Sequence, residues 1–300
     1  MDCTIRDHYL QLIFFMDQVS SKTEHFIKVN NINLHYIDHH SDGPILILLH
    51  GLTANAHAFD ALIEGLQPSY RVICPDLRGN GLSDKPAFCY TIEEHVQDII
   101  ELISHLGEKK VYVGGHSFGG YVAFYIAANH PHLVNKLVIL DAAKSMNPNA
   151  ANMLAGALSR LDVTYPGFDE YIAHVKKAPY LDFWDHAMLS YYRADVEDLP
   201  TGRVKPRCNL MDITEKSVNL GVIAWPEVID TITTPTILIN ALDNYTLGEP
   251  LLPDVIAKET VESMKHAKYA GVDGNHQTML YGAGAKQVVA HINAYLTPGP

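Results

Sequence analysis

Three hundred residues with 47% hydrophobic content suffice for one large α/β domain carrying an inserted segment, and are too apolar for a disordered chain. Thirty-four acidic residues against 22 basic ones leave a formal charge of −12, which speaks against a nucleic-acid partner, since phosphate binding needs clustered Lys and Arg. Cys3, Cys74, Cys89 and Cys208 are scattered, with no Cys-x-x-Cys pair, so they read as reduced thiols of a cytoplasmic protein rather than a disulfide framework.

Seventeen histidines raise the question of metal, but no zinc-binding spacing occurs among them. His39-His40 and His130-Pro131-His132 fall in expected turns, as solvated or capping residues. No metal or cofactor is expected.

Residues 1–23 form an extension. Its apolar stretch, 10–16, is too short to span a bilayer, and no small-residue cleavage site follows, so neither a secretory signal nor a membrane role is expected. From residue 24 the pattern becomes regular. Segments 25–29 and 32–37 alternate around Asn30-Asn31 and predict a hairpin. Segment 45–49 is wholly apolar, as in the buried middle of a parallel sheet, and runs into His50-Gly51-Leu52-Thr53. A helix over 54–66 and a strand over 71–75 follow. The loop 76–86 contains Gly79-x-Gly81 but no third glycine, so it is not a dinucleotide fingerprint. Thr91-x-x-Glu94 opens a helix with a capping box, and Gly107 stops it.

Residues 111–113 are a short apolar run that ends in Gly115-His116-Ser117-Phe118-Gly119, and 121–128 read as a buried helix. Strand, sharp turn and helix around Gly-x-Ser-x-Gly present a serine hydroxyl to a cleft, with small residues where the backbone must approach closely. The helix start also aims free N–H groups and a positive dipole end at the serine. The N–H of Phe118, and that of Leu52 in the His-Gly loop, are the expected oxyanion donors. His50, Gly51, His116 and Trp184 are the expected substrate contacts.

Segment 136–141 is another buried strand, after which the rhythm breaks. Residues 143–232 hold helix-like stretches at 149–161, 168–178 and 183–192, with Trp184 and Trp225 among many aromatics. The sheet resumes at 235–241, followed by Asp243, a helix over 254–264, a strand over 267–272, the loop with Asn275-His276, and a helix over 284–296. Alternating strands and helices predict a mostly parallel sheet with helices on both faces. The core is then 24–142 and 233–300, with 143–232 as an inserted helical cap. Ligands in such sheets bind at the carboxyl ends of the strands, where Ser117, Asp243 and His276 all fall, in the order Ser, Asp, His of the hydrolases. Asp141, ending the strand before the insertion, is the alternative carboxylate.

On these residues the chain resembles the α/β-hydrolase superfamily, in particular its capped serine esterases and lactonases, over nearly all of 24–296. The likeness runs through His50-Gly51, the 76–86 loop, Gly115 to Gly120, Asp243 and Asn275-His276. Asn275 stands where relatives usually carry Gly, and Asn80 where many carry His. The resemblance implies a sheet of about eight strands with a helical cap after the sixth. It also implies that Ser117 attacks an acyl carbonyl, His276 relays the proton, Asp243 orients the imidazole, and the N–H groups of Leu52 and Phe118 hold the oxyanion. The expected partner is a small-molecule ester or lactone, handled by a monomer or homodimer. Carbon–carbon bond hydrolysis of a diketone-like ring-cleavage product and a non-catalytic small-molecule receptor are the alternatives. Serine at 117 separates the chain from the epoxide hydrolases and haloalkane dehalogenases of this fold, which need a carboxylate there.

Overall fold

The structure, a computed structural model, describes residues 22–67 and 69–297; the stretch 10–16 lies outside them. Its strands are β1 (Lys22–Val29), β2 (Ile32–His39), β3 (Ile45–Leu49), β4 (Arg71–Pro75), β5 (Val111–His116), β6 (Val134–Leu140), β7 (Val196–Asp198), β8 (Val204–Pro206), β9 (Thr236–Ala241) and β10 (Ala267–Val272). Eight of them form one sheet in the order β1-β2-β4-β3-β5-β6-β9-β10. From β4 to β10 the pairs are parallel, while β2 runs antiparallel to both β1 and β4. Asn30 and Asn31, at φ of 39° and 64°, give the left-handed pair that a two-residue hairpin requires.

The helices are α1 (Asp60–Leu66), α2 (Ile92–His105), α3 (Phe118–Asn129), α4 (Ala150–Leu158), α5 (Phe168–Val175), α6 (His186–Asp195), α7 (Leu210–Gly221), α8 (Trp225–Asp230), α9 (Asp254–Ser263) and α10 (Gly282–Leu296). Strand side chains alternate between two apolar layers. Ile47, Val113 and Ile139 face the layer shared with α2 and α3, and Leu46, Leu48, Val138 and Leu140 face the one shared with α1 and α10. β3 is buried along its whole length, which explains its lack of alternation.

Several expectations shift. Residues 54–66 are not one helix: the Asn55 side chain accepts from His57 N, starting a 3-10 turn over Ala56–Phe59 before α1. His39 is buried at the end of β2 rather than solvated. The β6–β9 insertion has its helices, but also a two-stranded antiparallel ribbon of β7 and β8, whose three-residue strands are too short to show alternation. Trp225 of α8 packs against Tyr121 of α3 at 4.6 Å between ring centroids, so the end of the insertion belongs to the sheet's own core. Among the described residues no helix is long and apolar enough to cross a membrane.

The chain leaves β3 toward β4 on one side and returns to place β5 on the other. The connections leaving the carboxyl ends of β3 and β5 therefore run to opposite sides, opening a crevice at that switch point.

Candidate active site

Ser117 sits between β5 and α3 with φ 53° and ψ −118°, a conformation a non-glycine residue holds only at a cost of about 1–3 kcal/mol. Crowding explains the flanking glycines. A Cβ on Gly115 would lie 2.1 Å from the Gly119 carbonyl oxygen, and one on Gly119 would lie 2.1 Å from the Leu49 carbonyl oxygen at the end of β3. Ser117 N donates to Leu140 O at 3.0 Å, tying the turn to β6.

His276, in the loop after β10, places Nε2 3.0 Å from Ser117 Oγ and Nδ1 2.6 Å from Asp141 Oδ2. An ionised carboxylate only accepts, so Nδ1 carries the proton and Nε2 offers its lone pair to the serine hydroxyl. Asp141 is 1% exposed and takes a positive φ of 52° just beyond β6. Its other oxygen accepts from Ala241 N at 2.9 Å, so both carboxylate oxygens are engaged.

The carboxylate that reaches His276 is thus Asp141 and not the expected Asp243. After β9 the chain keeps pairing with the end of β10 and the segment beyond it: Leu242 N donates to Val272 O and Asp243 N to Gly274 O. That pairing leaves Asp243 exposed, its carboxylate accepting from Gly274 N at 2.8 Å. Asp243 supports the base of the His276 loop without touching the imidazole.

Leu52 and Phe118 both border the cavity beside Ser117. Neither N–H has a hydrogen-bond partner among the described residues. The Gly51 carbonyl accepts from His50 Nδ1 at 2.8 Å and Ala54 N at 3.1 Å. In a trans peptide the N–H points opposite to the C=O, so this anchoring turns the Leu52 N–H away from His50.

The four expected substrate contacts divide. Gly51 and His116 line the cavity, and His116 Nε2 also donates to the His276 carbonyl at 2.8 Å, bracing the loop that carries the imidazole. His50 is fully buried outside the cavity lining, its Nε2 accepting from Leu77 N at 2.9 Å. Burial pushes its pKa down to about 4, so it is a neutral strut between two loops. Trp184 also lies outside the lining, stacked on Tyr192 at 5.6 Å with the Lys176 amine 4.6 Å from its ring centroid. Its indole serves the core of the insertion instead.

The cavity has a volume of about 530 Å³. Beyond the β3 loop and the serine turn, its walls come from α4, through Ala150, Leu154 and Leu158, and from α7, through Ile213, Ser217 and Val218. Among the described residues no Asp, Glu, Lys or Arg lines it. One group among the described residues, His25, Asp38 and His40, brings metal-ligating atoms within 4.8 Å of one another. None of the three lines the cavity, and Asp38 is already engaged by Arg71 through Nε and Nη2.

Sequence reasoning passed over Arg160 and Lys216, buried cations of the insertion that reach Thr53 in the loop after β3 and Asn80 in the loop after β4, respectively. It noticed Asn80 and Asn275 only as departures from a pattern. Asn275 caps the turn after His276 by accepting from Gln277 N and Thr278 N, and donates to Tyr180 O in the insertion at 2.9 Å.

A family profile described as alpha/beta hydrolase fold matches residues 44–206. The chain is 42% identical over 119 residues to a soluble epoxide hydrolase of Corynebacterium sp. (strain C12), covering 40% of this chain and 41% of that protein. It is 31% identical over 155 residues to a 3-hydroxybutyrate-oligomer hydrolase of Cupriavidus necator, covering 49% and 53%. The match thus spans about half the length of these relatives or less. The crystal structure of E-2-(acetamidomethylene)succinate hydrolase superposes with a TM-score of 0.81 at 19% identity, over 92% of this chain and 99% of that one, a likeness of fold.

Proposed function

Because this chain belongs to the α/β-hydrolase fold family, we propose that it is a serine hydrolase of uncharged carboxylic esters, lactones included, acting through Ser117, His276 and Asp141. The observation that carries this reading is the relay from Asp141 through His276 to Ser117, at 2.6 and 3.0 Å, opening into a cavity walled by apolar side chains.

Ser117 Oγ adds to the acyl carbonyl carbon as its proton passes to His276 Nε2, and the Asp141 carboxylate stabilises the imidazolium that results. The carbonyl oxygen takes up the negative charge between the N–H groups of Leu52 and Phe118. Each such donor is worth about 3–4 kcal/mol of barrier. The bond to the leaving alkoxide then breaks, and His276 returns the proton to it. Water repeats the cycle on the acyl-enzyme, releasing the acid and restoring the serine. In a lactone the leaving hydroxyl stays attached to the acyl group, and the steps are otherwise the same.

Two features favour uncharged esters over the epoxide and the succinate named for two of the similar proteins. A serine oxygen that opened an epoxide would leave an ether, which water does not cleave, whereas an acyl-enzyme turns over. A dicarboxylate such as a succinate needs cationic partners once desolvated, and the lining offers none. The insertion acts as a cap, with α4 and α7 setting the space for the acyl chain.

Hydrolysis of p-nitrophenyl butyrate, compared with p-nitrophenyl hemisuccinate, tests this. The neutral ester is expected to turn over with a kcat/KM about 100-fold higher, equivalent to about 2.7 kcal/mol of unpaired-charge penalty. Absence of turnover in the wild type, or turnover undiminished in Ser117→Ala, would remove the proposal.

A further inference from the structure

Residues 51–54 carry the proposed donor at Leu52, and three successive carbonyl oxygens beyond it are held from outside the loop. Asn80 Nδ2 donates to Leu52 O at 3.0 Å and to Ala54 O at 2.8 Å. Arg160 Nη2 donates to Thr53 O at 3.0 Å. Both contacts lead into the insertion. Lys216 of α7 donates to Asn80 Oδ1. Arg160, two residues beyond α4, is gripped by Asp195 of α6 at 3.0 and 3.2 Å, and Tyr171 OH donates to the same carboxylate. Exposure is 0% for Lys216, 1% for Asn80 and 4% for Arg160.

The two cations differ in charge balance. Asp195 neutralises Arg160, whereas the Lys216 amine is bonded to a neutral amide and faces the Tyr90 ring at 5.2 Å. Asp212 and Cys208 act on it only at longer range, as do the cations Lys85 and Arg78. A buried ammonium carries a large desolvation cost, and an apolar side chain would join the insertion to the core with less penalty. What the ammonium adds is a field. Through Asn80 it polarises the Leu52 and Ala54 carbonyls, which fixes the backbone immediately after the N–H that faces the developing oxyanion.

We infer that Lys216 and Asn80 are positioning residues for the oxyanion donor at Leu52, so that the insertion supplies part of the acyl-transfer machinery as well as the walls of the cavity. The inference rests on the proposed ester hydrolysis. A donor misplaced by even about 1 Å is enough to lower a rate by on the order of 10²-fold, so the effect belongs in kcat rather than KM. Burial also pushes the Lys216 pKa down to about 8, and above that pH its charge is lost.

The test is kcat and KM for p-nitrophenyl butyrate in the wild type, Lys216→Met, Lys216→Gln and Asn80→Ala, with thermal melts to verify folding. Lys216→Met is expected to lower kcat about 10- to 100-fold with KM within about 3-fold. It should also abolish the decline of wild-type kcat as pH rises through about 8. Lys216→Gln, which keeps an N–H for Asn80 Oδ1, should recover part of the rate. A folded Lys216→Met with wild-type kcat, or with a loss confined to KM, overturns the inference. If Lys216→Met does not fold, Asn80→Ala and the wild-type pH profile decide: an unchanged kcat in the former, or a flat profile across pH 7 to 9, overturns it. A wild type inactive toward the ester removes the ester reading and this inference together, an outcome distinct from an active enzyme indifferent to Lys216.

Discussion

Replacing Asp141 by Asn changes one atom of the proposed relay and little of its shape. Asp141 Oδ1 accepts from Ala241 N at 2.9 Å while Oδ2 accepts from His276 Nδ1 at 2.6 Å. The amide would keep its oxygen on Ala241 N, because the reverse would set two N–H groups against each other. Its NH₂ would then point at His276 Nδ1 and force that nitrogen to accept. The proton moves to Nε2, and the imidazole presents an N–H to Ser117 Oγ where a lone pair is needed. A carboxylate-to-amide change of this kind in a serine protease triad lowers kcat by on the order of 10⁴, or about 5.5 kcal/mol of barrier. Asp243→Asn is the matched control, since an Asn oxygen still accepts from Gly274 N, which lies 2.8 Å from the carboxylate; its kcat should stay within about 3-fold of wild type. Steady-state hydrolysis of p-nitrophenyl butyrate, with thermal melts showing both variants folded, reads the difference. An Asp141→Asn enzyme within tenfold of wild type, or an Asp243→Asn enzyme equally impaired, would refute the assignment of the acid.

Three further outcomes follow from the geometry. His276→Ala should lower kcat by several orders of magnitude while the protein stays folded, and a near-normal rate in the same assay would exclude it as the base. Gly119→Ala would drive a methyl to 2.1 Å from the Leu49 carbonyl oxygen; displacing the end of β3 shifts Leu52 as well, so a kcat loss of about 100-fold or an insoluble protein is expected, and a soluble, fully active variant would contradict the packing. Acid should destabilise the fold through His39 and His50, whose burial pushes both pKa values from 6.5 to about 4. The unfolded chain takes up protons first as pH falls, so their stabilisation is complete above pH 6.5 and lost toward pH 4. At pH 4.5 that is about 2.7 kcal/mol each, or roughly 10 °C in Tm. A Tm equal at pH 7 and pH 4.5 would show that these rings are not held neutral.

Much of the site was legible because its signals are local. The serine turn needs Gly115 and Gly119 within a few residues of Ser117, between an apolar strand and a buried helix, and His276 stands in the short loop after the last strand. Asp141 and Asp243 each follow an apolar strand, and nothing local separates them. The deciding contact is the pairing of Leu242 and Asp243 with the end of β10 and the chain beyond it, which depends on how far the two strands continue together. Lys216 was hidden for another reason. A lysine on an amphipathic helix ordinarily reads as a solvated face, and only the packing of α7 over Asn80 turns it inward. Trp184 misled in the opposite sense, because a large aromatic in an insertion fills that insertion's own core as readily as it lines a cavity.

The central claim is that Ser117 is a nucleophile activated by His276 and served by an oxyanion hole. Treating the wild-type protein with a fluorescent p-nitrophenyl alkylphosphonate and mapping the adduct by peptide mass spectrometry tests all three parts at once. One phosphonyl group per chain, on Ser117 and absent from Ser117→Ala, is the result expected; an unmodified Ser117, or labelling elsewhere at the same rate, would contradict it.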